Sequence, residues 1–245
     1  MVDAAVIVAA GFGSRLGPLT ELQPKGFLEV AGRSLIQRSV DTLAAAGIRT
    51  LWLGTGYRRE AYEEFARLNE QLEIACVFSE AYATTSSMYT LFNLRRVIDR
   101  PFLLLESDLL YEPRALAELL DDPRPDLVLG SDATGSGDEV YLEADEDGFM
   151  VGASKDATAL GRVDAELVGI SKLSMATYRA MCQLMEANLQ SNPKLDYEGA
   201  LAALGVQCQV TIKRVDGLAW CEIDDAQHLE RALEHVLPRI EAVSG

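Results

Sequence analysis

Two cations stand beside a glycine loop near the start of this 245-residue chain. Arg15 follows Gly11 and Gly13, and Lys25 follows Pro24. The loop, Ala9-Ala10-Gly11-Phe12-Gly13-Ser14-Arg15, leaves an apolar run, Ala4-Ala5-Val6-Ile7-Val8, that reads as a buried strand. Small residues at a strand end let backbone N–H groups turn toward an anion, and Arg15 and Lys25 add fixed positive charge. In a chain of formal net charge -16, that local concentration of cations points to a bound polyphosphate. Two commoner loops fit less well. A dinucleotide fingerprint needs a third small residue where Leu16 stands, and a Walker loop needs Gly-Lys-Ser/Thr as one block, whereas Lys25 lies well beyond Gly13. An ordinary strand-to-loop turn explains the glycines but not the cations.

Carboxylates far along the chain suit the same anion. Asp108 closes Glu106-Ser107-Asp108, directly after the apolar Phe102–Leu105. In Trp220-Cys221-Glu222-Ile223-Asp224-Asp225, Glu222 and Asp224 would face one way if the segment is extended, because side chains alternate with period two. Hard cations take oxygen ligands, so Asp108, Glu222 and Asp224 form a candidate set for one or two Mg²⁺ ions. Each also reads as a cap: Asp108 of a turn, Asp224 or Asp225 of the last helix.

These residues need a scaffold that brings them to one place. Ser34 reads as the cap of a helix carrying Leu35, Ile36, Val40 and Leu43, with Gly47 at its end. A strand near Ile48–Leu53, a helix from about Arg58 to Leu68 and a strand at Ile74–Phe78 follow. Ser86 or Ser87 then opens a helix with Met88, Leu91, Phe92 and Leu94, before the strand Phe102–Leu105. This alternation predicts an α/β fold with a doubly wound, mainly parallel sheet, whose ligands bind beyond the strand carboxyl ends. From about Gly135 the texture changes: Glu139–Glu143 and Phe149–Ala153 around Glu146-Asp147-Gly148 read as a hairpin or lid. A strand at Glu166–Leu173, helices near Ser174–Gln190 and Asp196–Leu204, a strand around Val206–Ile212 and a helix from about Ala226 complete the chain.

The acidic excess, 38 Asp and Glu against 22 Lys and Arg, argues against nucleic acid or a membrane surface as partner. No apolar run approaches the roughly 20 residues of a membrane span, and the N-terminus lacks a signal-peptide pattern. Cys76, Cys182, Cys208 and Cys221 show no zinc or CxxC spacing and read as reduced thiols of a cytoplasmic protein. His228 and His235 read as a solvated helix face rather than a metal pair.

The first loop together with Pro24-Lys25-Gly26-Phe27-Leu28 resembles the nucleotidyltransferases that activate sugar phosphates and phosphocholine. The resemblance covers nearly the whole chain for the small cytidylyltransferases. It is carried by Gly54-Thr55-Gly56-Tyr57, Tyr82-Ala83-Thr84-Thr85-Ser86-Ser87-Met88-Tyr89, Glu106-Ser107-Asp108, Gly137-Asp138-Glu139-Val140-Tyr141, Leu167-Val168-Gly169-Ile170-Ser171 and Trp220-Cys221-Glu222-Ile223-Asp224. Taken together these segments are most similar to the 2-aminoethylphosphonate cytidylyltransferases, with phosphocholine enzymes as near relatives.

That resemblance implies one Rossmann-like nucleotidyltransferase domain over residues 1–245. About 1–134 would bind the nucleotide, and about 135–245 the acceptor, completing the metal site. It implies CTP over Ala9, Ala10, Gly11, Gly13, Ser14 and Arg15, with Tyr82, Thr84, Thr85 and Ser86 near the base. Lys25, Arg15 and Asp108 would act in transfer to a small phosphonate or phosphate amine, and Asp108, Glu222 and Asp224 would hold Mg²⁺. For the acceptor, Ser87, Glu139, Tyr141, Lys155 and Glu198 are candidates; a primary ammonium needs carboxylate or carbonyl acceptors, a quaternary one an aromatic cage. The sparse aromatics, 7% of residues, favour the primary amine. Phosphocholine, 2-hydroxyethylphosphonate or a sugar 1-phosphate as acceptor, and a silent nucleotide-binding subunit, are the alternatives.

Overall fold

The computed structural model describes residues 2–21 and 23–244. The first half runs β1 (Ala4–Ala9), β2 (Glu29–Val30), β3 (Arg33–Ser34), α1 (Leu35–Ala45), β4 (Thr50–Thr55), α2 (Arg59–Leu68) and β5 (Glu73–Phe78). It continues through α3 (Ser87–Asn93), β6 (Phe102–Glu106), β7 (Leu109–Tyr111), α4 (Arg114–Leu120) and β8 (Leu127–Ser131). The second half runs β9 (Tyr141–Ala144), β10 (Met150–Ser154), β11 (Ala165–Leu173), α5 (Met175–Asn188) and α6 (Tyr197–Cys208). It ends with β12 (Thr211–Arg214), β13 (Trp220–Glu222), α7 (Ala226–Arg231) and α8 (Leu237–Ser244).

The main sheet has the order β10-β9-β11-β6-β1-β4-β5, with β8 on β11 and β12 on β8. Its centre is parallel: β1 pairs with β4 and β6, and β4 with β5. The antiparallel β11 then joins β6, β8 and β9, so second-half strands extend the first-half sheet. Both faces are covered, and β1 explains why its sequence is continuously apolar. Ala5, Ile7 and Ala9 pack with Ile36, Val40 and Leu43 of α1 and Leu116 of α4. Ala4 and Val6 point the other way, onto Met88 of α3, Tyr178 of α5 and Leu201 of α6. Alternation with period two on a sheet covered by helices on both sides is the doubly wound α/β arrangement.

Parallel pairing sends the ends of β1, β4, β5 and β6 to one edge, where the Gly11 loop, Gly56, the 79–87 segment and Asp108 emerge together. A third apolar cluster ties the C-terminus to that edge. Leu16, Leu28 and Val30 from the first loops pack with Cys221, Ile223, Val236, Leu237 and Ile240. The short antiparallel ribbon of β7 and β13 sets the register, with Glu222 opposite Leu109, and Ile223 N–H donates to the Asp108 carbonyl at 3.1 Å.

Most element positions follow the sequence pattern; two expectations need correction. Val206–Cys208 continue α6 rather than opening a strand. Gln209, at φ 55°, ends the helix, and pairing with β8 begins only at Thr211. His228 is buried rather than solvated: its Nδ1 accepts the Asp224 N–H at 3.3 Å, and its Nε2 lies 3.3 Å from the Ser136 carbonyl. Asp225 caps α7 by accepting the His228 N–H at 2.9 Å, which releases Asp224 from that task. β13 ends at Glu222, and Ile223 prolongs the ribbon through its bond to the Asp108 carbonyl before the α7 cap begins. Among the described residues no helix is long and apolar enough to cross a membrane. The four cysteines are free.

Candidate active site

At the carboxyl edge of the parallel strands lies a cleft of about 500 Å³. Its floor is the first loop. Gly13 turns at φ 63°, a left-handed conformation that suits glycine, and its carbonyl accepts the Thr20 hydroxyl at 2.9 Å. Ala10 is fixed from the other side, where its carbonyl accepts the Tyr57 N–H at 3.1 Å. Gly56 is without a side chain for a steric reason: a Cβ there would run into the Ala10 carbonyl and the Tyr82 ring.

Charged groups converge above this floor. Lys25 Nζ sits between Asp108 Oδ2 and Asp224 Oδ1, hydrogen-bonded to both. Arg15 reaches Asp224 at 2.9 Å through Nη2 and Asp138 at 2.7 Å through Nη1. Lys155 Nζ holds the other Asp138 oxygen at 2.6 Å. Burial works against the Lys25 charge, but the Asp108 and Asp224 carboxylates outweigh it and raise its pKa. Burial likewise opposes ionisation of Asp138, yet hydrogen bonds from Lys155 and Arg15 bring its carboxyl down to about 2. Both ion-paired states are therefore fully charged near neutral pH.

The Lys25 turn has its own support. The buried Tyr62 hydroxyl is hydrogen-bonded to the Gly26 backbone and the Ser107 side chain, so it pins that turn to the end of β6. A side chain at position 26 would strike the same hydroxyl.

The far wall is acidic. Asp196 caps α6 by accepting the Gly199 N–H at 2.8 Å, and Ser87 Oγ accepts the Tyr197 N–H at 3.0 Å, locking α3 to α6. Tyr197 OH donates to Glu106 Oε1 at 2.5 Å. Glu198 is left over: its Oε2 is buried without a hydrogen-bond partner. Burial, with Asp196 nearby, pushes its carboxyl up to about 7.

Residues 5–145, more than half of the chain, match the family model of the MobA-like NTP transferase domain. The chain belongs to this family. This chain is 29% identical over 232 residues to CMP-5'-(3-aminopropyl)phosphonate synthase of Streptomyces rubellomurinus, covering 90% of this chain and 37% of that protein. It is 25% identical over 237 residues to the bifunctional IPC transferase and DIPP synthase of Aquifex aeolicus, covering 97% and 52%. Against the CTP:phosphoglutamine cytidylyltransferase of Campylobacter jejuni it is 24% identical over 256 residues, covering 94% and 99%. The chain thus spans about a third to a half of the first two relatives and nearly all of the third. Its fold matches the inositol-1-phosphate CTP transferase from T. maritima with a TM-score of 0.81 at 18% identity, covering 98% of this chain and 96% of that one.

The cleft gathers most of the residues singled out in the sequence. Ala10, Gly11, Gly13, Arg15 and Lys25 line it with Asp108 and Asp224. Tyr82, Thr85, Ser86 and Ser87 line it as well, as do Lys155 and Glu198. Ala9 is buried in β1 rather than lining the cleft, and Thr84 is exposed, its hydroxyl turned back to the Ala81 carbonyl at 3.2 Å. The Ser14 side chain lies outside the described residues. Glu139 and Tyr141 stand apart from the cleft, because the β9 register turns this segment toward Thr134 and Glu166; Glu139 lines an adjoining crevice there. Glu222 lines that crevice too, beside His228 and Cys221. Sequence reading missed Asp138, Glu106 and Tyr62 as site-forming residues. Each acts through a partner distant in sequence.

Among the described residues no three His, Cys, Asp or Glu side chains gather as a ready metal cage. Two carboxylates do converge, Asp108 and Asp224, and Asp108 Oδ1 is buried without a hydrogen-bond partner. Mg²⁺ is commonly held by one or two carboxylates plus substrate phosphates, so this donor pair fits an ion that the nucleotide completes.

Proposed function

We propose that this chain transfers CMP from CTP to 2-aminoethylphosphonate, releasing pyrophosphate. One observation carries the reading: a single cleft sets Arg15 and Lys25 beside a glycine loop and is also lined by Glu198, whose Oε2 is buried without a hydrogen-bond partner. The first feature suits a triphosphate, the second a small cation joined to an anion. Relatives whose names specify CMP-phosphonate synthesis and CTP-dependent transfer support the choice of nucleotide and acceptor class.

In this reading the loop N–H groups and Arg15 bind the β- and γ-phosphates. Lys25 leaves its carboxylate partners to neutralise the α-phosphate and the incoming phosphonate. A phosphonate oxygen attacks the α-phosphorus in line, the α–β bond breaks, and pyrophosphate departs. The nucleophile is already anionic, so the step needs alignment and charge neutralisation rather than a strong base. Asp108 and Asp224 would hold Mg²⁺, which would supply further neutralisation of triphosphate charge. At the far end Glu198 and Asp196 receive the primary ammonium, and Lys155 approaches the phosphonate. Among the described residues lining the cleft Tyr82 is the only aromatic one, which leaves no cage for a trimethylammonium group.

Pyrophosphate release with CTP, Mg²⁺ and a panel of acceptors tests this. The highest kcat/KM is expected with 2-aminoethylphosphonate, above phosphocholine, 2-hydroxyethylphosphonate and sugar 1-phosphates. A preference for phosphocholine or a sugar 1-phosphate would overturn the acceptor assignment.

A further inference from the structure

Asp138 occupies an unusual position in the charge layout. Its carboxylate bridges two cations from different parts of the chain: Arg15 of the first loop at 2.7 Å and Lys155 after β10 at 2.6 Å. It also lies against Asp224, with which it shares the Arg15 guanidinium. Under the proposed reaction these two cations serve different substrate anions, the triphosphate and the phosphonate. A carboxylate holding both stands where substrate oxygens must arrive.

The surrounding loop is built in two parts. Its stem is fastened: Thr134 Oγ1 donates to Glu166 at 2.7 Å, Arg231 donates to the Thr134 carbonyl at 2.8 Å, and His228 Nε2 meets the Ser136 carbonyl. Pairing resumes at Val140, whose carbonyl accepts the Leu167 N–H at 2.8 Å. Between them, Gly137 N–H turns to Glu139 Oε2 and Asp138 N–H to Ser136 Oγ, both within the loop. Among the described residues, the tip from Gly137 to Glu139 is held to the cleft cations through the Asp138 carboxylate. Gly135 and Gly137, at φ 65° and 89°, flank the point where stem becomes tip.

We propose that Asp138 is a positioning residue that acts as a stand-in anion: it holds Arg15 and Lys155 in the cleft until the anionic substrates displace it, and it thereby sets their affinity. The inference rests on the nucleotidyl-transfer reading. A phosphate oxygen and a carboxylate oxygen make the same charge-assisted hydrogen bonds to a guanidinium, so each substrate anion binds by exchange rather than by simple addition. Removing the internal competitor therefore tightens nucleotide binding, whereas damage to a purely structural residue would loosen it.

Calorimetric titration of CTP with Mg²⁺ and without acceptor tests this on wild type, D138N and D138E, with circular dichroism and thermal midpoints to verify folding. D138N is expected to bind CTP about 2–5-fold more tightly, the scale of a partly exposed ion pair. D138E should stay near wild type, and the affinity for cytidine, which has no phosphate to meet Arg15, should not change. Equal or weaker CTP binding by folded D138N would overturn the proposal. A cytidine affinity that shifts in parallel with that for CTP would also overturn it. Wild-type protein that binds no CTP would instead overturn the nucleotidyl-transfer reading, and this inference with it.

Discussion

Glu198 carries the account of the acceptor at the level of single residues. Its carboxyl, pushed up to about 7 by burial and by Asp196, is neutral below that pH and negative above it. Only the negative form attracts an ammonium, so kcat/KM for 2-aminoethylphosphonate at saturating CTP should rise as pH passes upward through about 7. Replacing it, in E198Q, should raise the acceptor KM by about 10–100-fold, the range for losing one charged hydrogen bond. It should also remove the part of the pH rise that Glu198 contributes. An unchanged KM and an unchanged profile would exclude Glu198 from acceptor binding. At this scale the sequence was informative wherever a residue's role is local. Gly13 sits at a turn that favours glycine, and Ser34 caps α1 by accepting the Gln37 N–H at 3.3 Å. It was silent on Asp138 and Tyr62, whose partners lie tens of residues away, and it misread His228, whose helix face packs against the 134–138 loop.

Between residue and fold, two contacts decide where the site's pieces meet. The β7–β13 ribbon carries Asp224 across to Asp108, and the third apolar cluster holds that ribbon against the first loop. Neither was legible, because three-residue strands give too short a pattern to reveal a partner over a hundred positions away. Longer elements with clear periodicity, such as α1 and β1, were readable. The run Val206–Cys208 misled because a few apolar residues fit a helix end as well as a strand. The far wall depends on α6 lying close on the β9–β10 hairpin. Gly205 allows this, since a Cβ there would overlap the Met150 carbonyl. Gly205→Ala should destabilise the protein by about 1–3 kcal/mol in urea unfolding, overcoming the modest gain in helix propensity. By moving α6 it should also raise the acceptor KM more than the CTP KM. A stabilised variant would show that this approach is looser than described.

Across the whole molecule, a chain of net charge -16 concentrates a few cations at one sheet edge. Those cations, Arg15, Lys25 and Lys155, are all engaged by carboxylates, so the proposed binding of anionic substrates is an exchange of counter-ions within the cleft. The doubly wound topology makes this possible by delivering four strand ends to that edge, and the strand–helix alternation of residues 1–106 was enough to foresee it. The central claim is that the α–β bond of CTP is the one broken. Incubation with 2-aminoethylphosphonate and Mg²⁺, using CTP labelled with ³²P at either the α or the γ phosphate, tests it most directly. The α label is predicted to enter the acceptor product while the γ label leaves in pyrophosphate. Transfer of the γ label to the acceptor, or no movement of label with any acceptor offered, would contradict the account.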